Sequence, residues 1–336
     1  MVDAFIELGL FAAKTAIIIA SILFVLVTFF ALLAKAKEKI KSRLVINHLN
    51  KHYQETAEQI YAETLPKKAF KRYLKSIRRA EKARNVVDDQ KKTVFVLNFH
   101  GDVRASAVSH LSEEITAILT VAKPQDEVLL RLESAGGVVH GYGLAAAQLM
   151  RLRAKKIPLT IAIDKVAASG GYMMACVADK IIAAPFAIIG SIGVVVQFPN
   201  FHRYLQDKNI DFEQHTAGEF KRTITLFGEN TEAGRQKLQQ EIEDIHQLFK
   251  TLIADHRKDI DIQKVATGEY WMGQQALDLK LVDTLETSDD YLLTKSQDTD
   301  LYEVYYEIRK PFLARLTGSA NSFLREKFSQ LLKLPT

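Results

Sequence analysis

Hydrophobic and polar positions change in blocks along the chain from residue 93, and each block has the length of one strand or one helix. The segments TVFVLNFHG, EVLLRLES and PLTIAID are short and largely apolar, which is typical of buried strands. Between them, SAVSHLSEEITAILTVA and GYGLAAAQLMRLRAKK repeat apolar residues at helical spacing. Strands that alternate with helices indicate a parallel sheet joined by right-handed crossovers, so the pattern predicts an α/β fold.

The blocks that follow are less regular but continue the alternation, and we find no internal repeat. They predict, in chain order, a helix in KVAASGGYMMACVAD, strands in KIIAAP, GSIGVVVQF and DFEQH, a loop in AGEFKRTITLFGE, a long helix in NTEAGRQKLQQEIEDIHQLFKTLIADHRK, and a closing segment GEYWMGQQALDLKLVDTL.

A long apolar run precedes this region. Residues 15–34, TAIIIASILFVLVTFFALLA, hold 20 residues without a charge. As a helix this run would be about 30 Å long, which matches the hydrocarbon core of a bilayer. The apolar core of a cleaved signal peptide is shorter, at about 7 to 15 residues, and ends at a small-residue cleavage site. Because this run is longer and continues into AKAKEKIK, we expect a retained single-pass transmembrane helix.

Basic residues are concentrated directly after the apolar run. Residues 35–92 contain 17 lysines and arginines and 7 acidic residues, a surplus of +10 in a chain whose whole formal charge is +5. Within them, PKKAFKRYLKSIRRAEKARN predicts a basic helix that suits anionic lipid head groups. Nucleic acid binding and a simply solvated linker are the alternatives. Counted by the positive-inside rule, the charge after the apolar run places the rest of the chain in the cytoplasm.

One hydroxyl and two glycine pairs stand where strands are expected to end. Ser169 precedes Gly170 and Gly171 and follows the third predicted strand, whereas Gly136 and Gly137 follow the second. In open parallel sheets, functional residues gather beyond the carboxyl ends of the strands. Glycines at the start of a helix expose backbone N–H groups, and two such turns together are what an oxyanion hole requires. Two tight turns without a chemical role are the alternative.

A serine hydroxyl is a weak nucleophile and needs a neighbouring base. Histidine is the usual base, but no recognisable signature connects the serine to the candidates His100, His140, His202 and His215. A lysine acts as a base only when it is neutral, which requires burial to lower its pKa from about 10.4. Lys221, in HTAGEFKRTITLF, has apolar residues nearby and is the lysine candidate.

The composition adds one restriction. The chain of 336 residues is 48% apolar, enough for a sizeable core, and contains one cysteine. No disulfide can form within the chain, and Cys176 lies in an apolar run, which predicts a buried structural thiol and not a nucleophile.

Several motifs, taken in order, resemble the signal peptide peptidase A family of serine proteases. They span roughly residues 93–285 and read ESAGG, DKVAASGGYMMACVADKIIAAP, IGSIGVVVQFPNF, AGEFK and WMGQQALDLKLVDTL. Ordered motifs at compatible spacing are far more specific than any one of them. The resemblance implies a crotonase/Clp-protease-like fold, a parallel sheet with crossover helices, preceded here by one N-terminal transmembrane helix and a basic helical linker.

The resemblance also implies the roles of individual residues. The family's serine–lysine dyad corresponds to Ser169, in ASGGY, as nucleophile and Lys221, in GEFK, as general base. Ser191, in GSIGV, would orient Lys221, and the N–H groups of Gly137 and Gly170 would form the oxyanion hole. The implied reaction is hydrolysis of peptides or membrane-associated polypeptides through an acyl-enzyme, with no cofactor, no metal and no nucleic acid.

The changes of composition along the chain, together with the extent of the family motifs, suggest a division of the chain. The expected parts are residues 1–34 with the transmembrane helix, a basic linker at 35–92, the protease domain at 93–285 and a C-terminal extension at 286–336. The extension ends in PFLARLTGSANSFLREKFSQLLKLP, whose pattern indicates an amphipathic helix. We expect that helix to pack within an assembly; the body of the same chain and lipid are the alternatives. The family resemblance separately implies a homo-oligomer.

The resemblance places the protein in the bacterial inner membrane with the protease domain in the periplasm, which conflicts with the positive-inside count. Two positions depart from the family pattern: Ala135 replaces the proline of an S-P-G-G turn, and Lys280 replaces the glycine of an L-G-L-V-D motif. We expect the departure at Lys280 to affect a helix C-cap and not the chemistry. Neither change removes a catalytic group.

Two other functions fit parts of the pattern. A crotonase-like enzyme acting on acyl-coenzyme A thioesters would share the fold and the oxyanion hole, but it would have no use for a nucleophilic serine or a buried lysine. A non-catalytic membrane scaffold would assemble without cutting, and the retention of the motifs argues against it.

Overall fold

The structure is a computed structural model of the chain, and it describes residues 2–36, 42–84 and 91–308. The chain divides into two compact units, one comprising Met1–Leu44 with Tyr306–Thr336 and the other Val45–Tyr305. The predicted amphipathic segment of the C-terminal extension lies outside the described residues.

The described residues form ten strands and eleven helices. The strands are β1 Ser42–His48, β2 Thr93–Gly101, β3 Glu127–Ser134, β4 Leu159–Ile163, β5 Val166–Ala168, β6 Lys180–Ala183, β7 Ile188–Gly190, β8 Tyr270–Met272, β9 Thr284–Leu285 and β10 Asp300–Ile308. The helices are α1 Val2–Ala36, α2 Leu49–Thr64, α3 Lys67–Arg84, α4 Val108–Val121, α5 Val139–Ala154, α6 Gly170–Ala175, α7 His202–Asp207, α8 Glu232–His256, α9 Ile262–Val265, α10 Gly273–Asp278 and α11 Ser288–Lys295.

The sheet confirms the α/β fold predicted from the alternation of strands and helices. Its main path runs β1-β10-β2-β3-β4-β6-β9. The pairings from β10 through β2, β3, β4 and β6 to β9 are all parallel. All five residues of β4 are buried, as expected for a central strand that is covered on both faces.

Helices cover both faces of the main sheet. On one face, a cluster that contains Val96 and Leu129 packs against α11 and against Leu49 and Tyr53 of α2. On the other face lies α5, whose Tyr142 ring meets Phe99 of β2 edge-on, with ring centroids 6.4 Å apart. The core therefore has the three-layer arrangement of parallel α/β proteins.

A short branch leaves the main sheet at the carboxyl end of β3. β4 pairs with the first half of β3, whereas β5 pairs with its last residue, Ser134. β5 then pairs in parallel with β7, and β7 pairs in antiparallel fashion with β8. This branch directs the chain after β5, where the predicted nucleophile lies, away from the main sheet.

The structure corrects three sequence-based expectations about these elements. The segment KVAASGGYMMACVAD forms the strand β5 before the helix α6 begins at Gly170. The strand predicted in GSIGVVVQF is wrong, because β7 ends at Gly190 and the backbone turns there, with φ of 105° at Gly190 and 51° at Ser191. DFEQH also forms no strand, and its residues are exposed. In addition, β10 extends the sheet into the predicted C-terminal extension.

The helix α1 is part of the first unit. Its described apolar side chains are exposed, among them Phe11 at 70%, Ile17 at 67% and Phe24 at 70%. Among residues 2–36, 42–84 and 91–308, no helix has the length and hydropathy needed to cross a membrane.

Candidate active site

Three strands end side by side at the base of the candidate site. Ser134 at the end of β3 is the register partner of Ala167 in β5, and Ala168 is the partner of Gly190 in β7. The residues that follow this last pair are Ser169 and Ser191. Since neighbouring strands lie about 4.8 Å apart, main-chain pairing places the two predicted serines on adjacent strand ends.

The backbone at Ser169 is strained. Its φ of 51° and ψ of −119° lie in a region that residues other than glycine rarely adopt, at a typical cost of about 1–3 kcal/mol. Its N–H donates to the Gly190 carbonyl at 2.8 Å, and its own carbonyl accepts from the Met173 N–H at 2.9 Å. Both bonds fix a sharp turn from strand to helix, a geometry that presents a nucleophilic side chain in hydrolases.

The two predicted glycine turns touch each other beside this serine. Gly136 has φ of 90°, and a Cβ atom at Gly136 would lie 2.6 Å from the Gly170 nitrogen and 2.8 Å from Ser169 Cβ. A Cβ at Gly137 would collide with the Val103 carbonyl. Only glycine fits at either position, because the backbones approach within the space that a side chain would fill.

This contact leaves two N–H groups at the site for a ligand. In the part of the chain that the structure describes, the N–H groups of Gly137 and Gly170 donate no hydrogen bond, whereas the Gly136 N–H donates to Ser134 Oγ at 3.0 Å. Gly137 is exposed and Gly170 is buried. Two unpaired donors next to a strained serine can stabilise an oxyanion that forms on a bound carbonyl.

Ser191 is held at its backbone in the same manner as Ser169. Its φ is also 51°, and its N–H donates to the Glu269 carbonyl at 2.6 Å, which ties it to the segment that leads into β8. The side chain is half-buried. Ser191 therefore lies just beyond the strand in which we expected it, beside the predicted nucleophile.

Lys221 lies in a different environment from the one expected for a base. It is exposed, and its N–H donates to the Gly218 carbonyl at 3.2 Å. It lines an open cavity of about 950 Å³ whose described lining includes Phe198 and Phe227 but neither predicted serine. A single chain therefore does not bury the Lys221 amine, because the apolar residues around it are themselves exposed. The assignment of Lys221 as base stays a prediction.

None of the four candidate histidines is buried. His100, His140 and His215 are exposed and His202 is half-buried. His100 lies 3.6 Å from Glu133, and His215 lies 3.6 Å from Glu213.

The only cysteine is buried, as predicted. Cys176 has no exposed surface, and burial raises the pKa of its thiol to about 12. Among the described residues, no group of three or more His, Cys, Asp and Glu side chains is arranged to hold a metal ion.

Sequence reasoning missed two residues of this site. Tyr142 and Ser134 lie beneath both glycine turns, joined by a hydrogen bond of 2.5 Å. Both belong to motifs that were noticed for their glycines, ESAGG and GYG, and no local pattern distinguishes a tyrosine that supports a turn from an ordinary core tyrosine.

Comparison with known proteins identifies the class of enzyme. Residues 3–149 match the family described as "Peptidase family S49 N-terminal", and residues 151–302 match the family described as "Peptidase family S49". The family matches define a serine-type peptidase. The chain belongs to peptidase family S49. This confirms the family resemblance inferred from the sequence, and it supports neither the acyl-coenzyme A interpretation nor the scaffold interpretation.

Individual relatives agree with this assignment. The chain is 56% identical over 240 residues to the "Probable protease SohB" of Haemophilus influenzae, covering 71% of this chain and 68% of that protein. It is 49% identical over 317 residues to the "Probable protease SohB" of Buchnera aphidicola subsp. Acyrthosiphon pisum, covering 94% of each. Among solved structures, a 1510-N membrane-bound stomatin-specific protease with a substrate peptide matches at a TM-score of 0.45 and 13% identity, covering 68% of this chain and 99% of that one.

Proposed function

We propose that this peptidase is an endopeptidase with a serine–lysine dyad, in which Ser169 is the nucleophile and Lys221 the general base. The observation that carries the proposal is the direct contact of Gly136 with Ser169 and Gly170, which sets a strained serine beside two unpaired N–H groups. A serine held in this way needs only a base to become an acylating nucleophile.

The proposed reaction is acyl transfer in two steps. Ser169 Oγ attacks the peptide carbonyl carbon while the neutral Lys221 amine takes the hydroxyl proton, and the oxyanion accepts hydrogen bonds from the Gly137 and Gly170 N–H groups. Collapse breaks the C–N bond, Lys221 returns the proton to the leaving amine, and an ester on Ser169 remains. Water, deprotonated by Lys221, then hydrolyses that ester and restores the serine.

For this chemistry the Lys221 amine must approach Ser169 and lose its contact with water. The segment from residue 195 to residue 227 is rich in exposed apolar side chains: Val195, Val196, Phe198, Phe201, Tyr204, Ile210, Phe212, Phe220, Leu226 and Phe227. Apolar surface of this extent is typical of an interface. We propose that a second copy of the chain covers it, so that the homo-oligomer buries Lys221 and Ser191 orients its amine.

The dyad is tested with the full chain purified in detergent and a fluorophore-labelled unfolded polypeptide as substrate. We expect Ser169→Ala and Lys221→Ala to lower kcat by about 1,000-fold or more, and Ser191→Ala by a smaller factor. A fluorophosphonate should label Ser169 alone, as located by mass spectrometry of the digested protein. Cleavage by Ser169→Ala at the wild-type rate would refute the proposed nucleophile, and labelling at Ser191 would reassign it.

The assembly has its own test, light scattering of the same preparation. Val195→Glu and Phe198→Glu should lower the particle mass towards one chain and remove activity, because each places a charge in the proposed interface. Val121→Glu is the matched control: Val121 is 63% exposed, but it lies at the end of α4 outside this segment. An active wild-type monomer would contradict the proposed assembly.

We further propose that residues 15–34 anchor the protein in the bacterial inner membrane as a single-pass segment, with peptides or membrane-associated polypeptides as substrates. Support comes from the uncharged run, its helical structure within α1, and the exposure of its apolar side chains. The helix α3 adds nine basic residues and one acidic residue, which suits anionic head groups. Extraction of cell membranes at high pH should leave the protein in the membrane fraction; its release would refute the anchor.

The membrane face of the peptidase domain is the last part of the proposal. We propose the periplasmic face, as the family resemblance implies, although the excess of lysines after residue 34 favours the opposite orientation. A C-terminal reporter that is active only in the periplasm should give a signal. If a C-terminal reporter that is active only in the cytoplasm gives the signal instead, the proposed orientation is wrong, and the peptidase domain meets the polypeptides of the cytoplasm.

A further inference from the structure

We propose that Tyr142, acting through Ser134, is a positioning residue that sets the two glycine turns of the oxyanion site relative to each other. This inference deepens the proposed function and rests on it. The Tyr142 hydroxyl is hydrogen-bonded to Ser134 and Asp102, so its effect would pass through the backbone of Gly136 and Gly170.

A directed chain of hydrogen bonds starts at the first glycine turn. The Gly136 N–H donates to Ser134 Oγ at 3.0 Å, Ser134 Oγ lies 2.5 Å from the Tyr142 hydroxyl oxygen, and the Tyr142 hydroxyl donates to the Asp102 carbonyl at 2.8 Å. A tyrosine has one proton to donate, and here it goes to Asp102. The Ser134 hydroxyl must therefore donate to Tyr142, which leaves its lone pair free to accept from Gly136.

The end of this chain is itself held in place. The Asp102 carboxylate accepts from both the N–H and the hydroxyl of Ser106, each at 2.8 Å. One residue further, the Val103 carbonyl accepts from the Val138 N–H at 2.8 Å. Two interactions therefore connect the segment after β2 to the Gly136 turn. One is the series of hydrogen bonds through Tyr142, and the other is the backbone hydrogen bond between Val138 and Val103.

The ring of Tyr142 supports the second glycine turn. Tyr142 has no exposed surface, and a Cβ atom at Gly170 would lie 2.6 Å from its Cδ2 atom. The hydroxyl end of one rigid side chain therefore holds the Gly136 turn while the ring face packs against Gly170. A Cβ at Gly171 would collide with the Ser134 carbonyl, so the second turn also contacts the first turn's support.

This series of hydrogen bonds persists through the neutral pH range. Burial raises the pKa of the Tyr142 hydroxyl above its ordinary value, so the proton that reaches Asp102 is retained. Each buried polar atom in the chain has a partner, and removing one hydroxyl leaves at least one of the others without one. The two oxyanion N–H groups would then lose their fixed separation, which affects the transition state more than substrate binding.

The test uses Tyr142→Phe in the full chain, with Tyr172→Phe as its matched control. Both tyrosines are fully buried, and both donate to a backbone carbonyl, since the Tyr172 hydroxyl donates to Leu281 at 2.9 Å. Both variants should therefore lose similar thermal stability. We expect Tyr142→Phe to lower kcat about tenfold or more while KM stays within twofold, and to slow fluorophosphonate labelling of Ser169 by the same factor. Tyr172→Phe should change neither rate by more than twofold.

Ser134→Ala gives a second measure that does not depend on the tyrosine. It should lower kcat by a similar factor. The double variant with Tyr142→Phe should have a kcat no more than about twofold below that of the slower single variant, because the two hydroxyls act in one series of hydrogen bonds. Equal kcat values for Tyr142→Phe and Tyr172→Phe would overturn the inference, and so would an effect of Tyr142→Phe on KM alone. If Ser169→Ala is inactive in the same assay, the proposed function still stands. Full activity of Ser169→Ala would overturn both.

Discussion

The N–H of Ser169 donates a 2.8 Å hydrogen bond to the carbonyl of Gly190, and this bond joins the two strand ends that carry the serines of the site. Ser191 directly follows that carbonyl and has the same φ of 51° as Ser169. Main-chain pairing between β5 and β7, and not a side-chain interaction, thus sets the proposed nucleophile beside the proposed orienting serine. Substitutions of either side chain should therefore leave the local backbone in place.

Gly136 offers a test of the contact between the glycine turns. Gly136→Ala adds a Cβ atom 2.6 Å from the Gly170 nitrogen at a φ of 90°, so we expect the two turns to separate. Activity should fall about 100-fold, since small displacements of reacting groups have effects of that size. The measurement is kcat/KM on an unfolded polypeptide, together with the melting temperature.

Gly143→Ala is the control for this substitution. Gly143 lies in α5, and a Cβ atom there has no neighbour within 4 Å. Alanine at a helix interior should raise stability by up to about 1 kcal/mol and leave activity unchanged. If Gly136→Ala retains wild-type activity, the contact between the turns is not required for catalysis.

A buried carboxylate at the opposite end of the sheet makes stability depend on pH. Glu127, at the start of β3, is 3% exposed and accepts from Lys295 at 2.8 Å, Lys92 at 3.1 Å, Thr160 at 3.0 Å and Tyr291. Burial alone would raise the pKa of Glu127, but the hydrogen bonds from Lys295 and Tyr291 and the charge of Lys295 bring it below its ordinary value. The carboxylate is thus stabilised in the folded state.

The sign of the pH effect follows from that lowered pKa. The contribution of Glu127 is present above the unfolded pKa of about 4.3 and is lost as the pH falls through the lower folded value. Glu127→Gln should therefore lower the free energy of unfolding by about 3 kcal/mol at pH 7 and by less at pH 3. Urea unfolding at both pH values measures the difference.

Exposed Glu63 on α2 provides the comparison for this network. Glu63→Gln should change the free energy of unfolding by less than about 0.5 kcal/mol at either pH. A loss for Glu127→Gln that is the same at pH 7 and pH 3 would contradict the assignment of that stability to its ionised form.

Cys176 should be inert in the folded protein. Its Sγ donates to the Met173 carbonyl at 3.3 Å, and because burial raises its pKa to about 12, almost no thiolate exists at pH 8. Iodoacetamide at pH 8 should neither label the native protein nor inhibit it, whereas urea-unfolded protein should be labelled fully, as read by intact mass. Inhibition that parallels labelling of native protein would refute the structural role.

Lys280 is a site where glycine should stabilise the protein. Lys280 follows α10 with φ of 62°, its N–H donates to the Leu277 carbonyl at 3.1 Å, and the Leu281 N–H donates to Ala276 at 2.9 Å. This is a glycine-type helix C-cap, as expected from the family pattern. Lys280→Gly should raise the free energy of unfolding by about 1 kcal/mol, because left-handed backbone is costly for other residues.

The control is Lys155→Gly at the end of α5, where φ is −90° and glycine relieves no strain. It should leave stability unchanged or lower it by up to about 1 kcal/mol. Equal changes in the two urea midpoints would show that the left-handed conformation at Lys280 carries no cost.

The regular part of the fold could be predicted because its signals are local. β2, β3 and β4 are short, largely apolar segments whose residues are mostly buried, and α5 and α8 bury apolar residues at helical spacing, so a short window contains the information. The strand predicted in GSIGVVVQF was wrong for the opposite reason. Its apolar residues suit a strand, but a strand also requires a partner, and the backbone turns away at Gly190 and Ser191.

The sequence by itself determined the family, the α/β class and the residues to which the chemistry is assigned, because ordered motifs and periodicity survive without coordinates. Only the tertiary structure decided that Gly136 touches Gly170, that Tyr142 supports both turns, and that Lys221 is exposed in one chain. Gly136 and Gly170 are 34 residues apart, Tyr142 and Gly170 are 28 apart, and the exposure of Lys221 depends on what covers a surface. None of these relationships leaves a pattern in a local stretch of sequence.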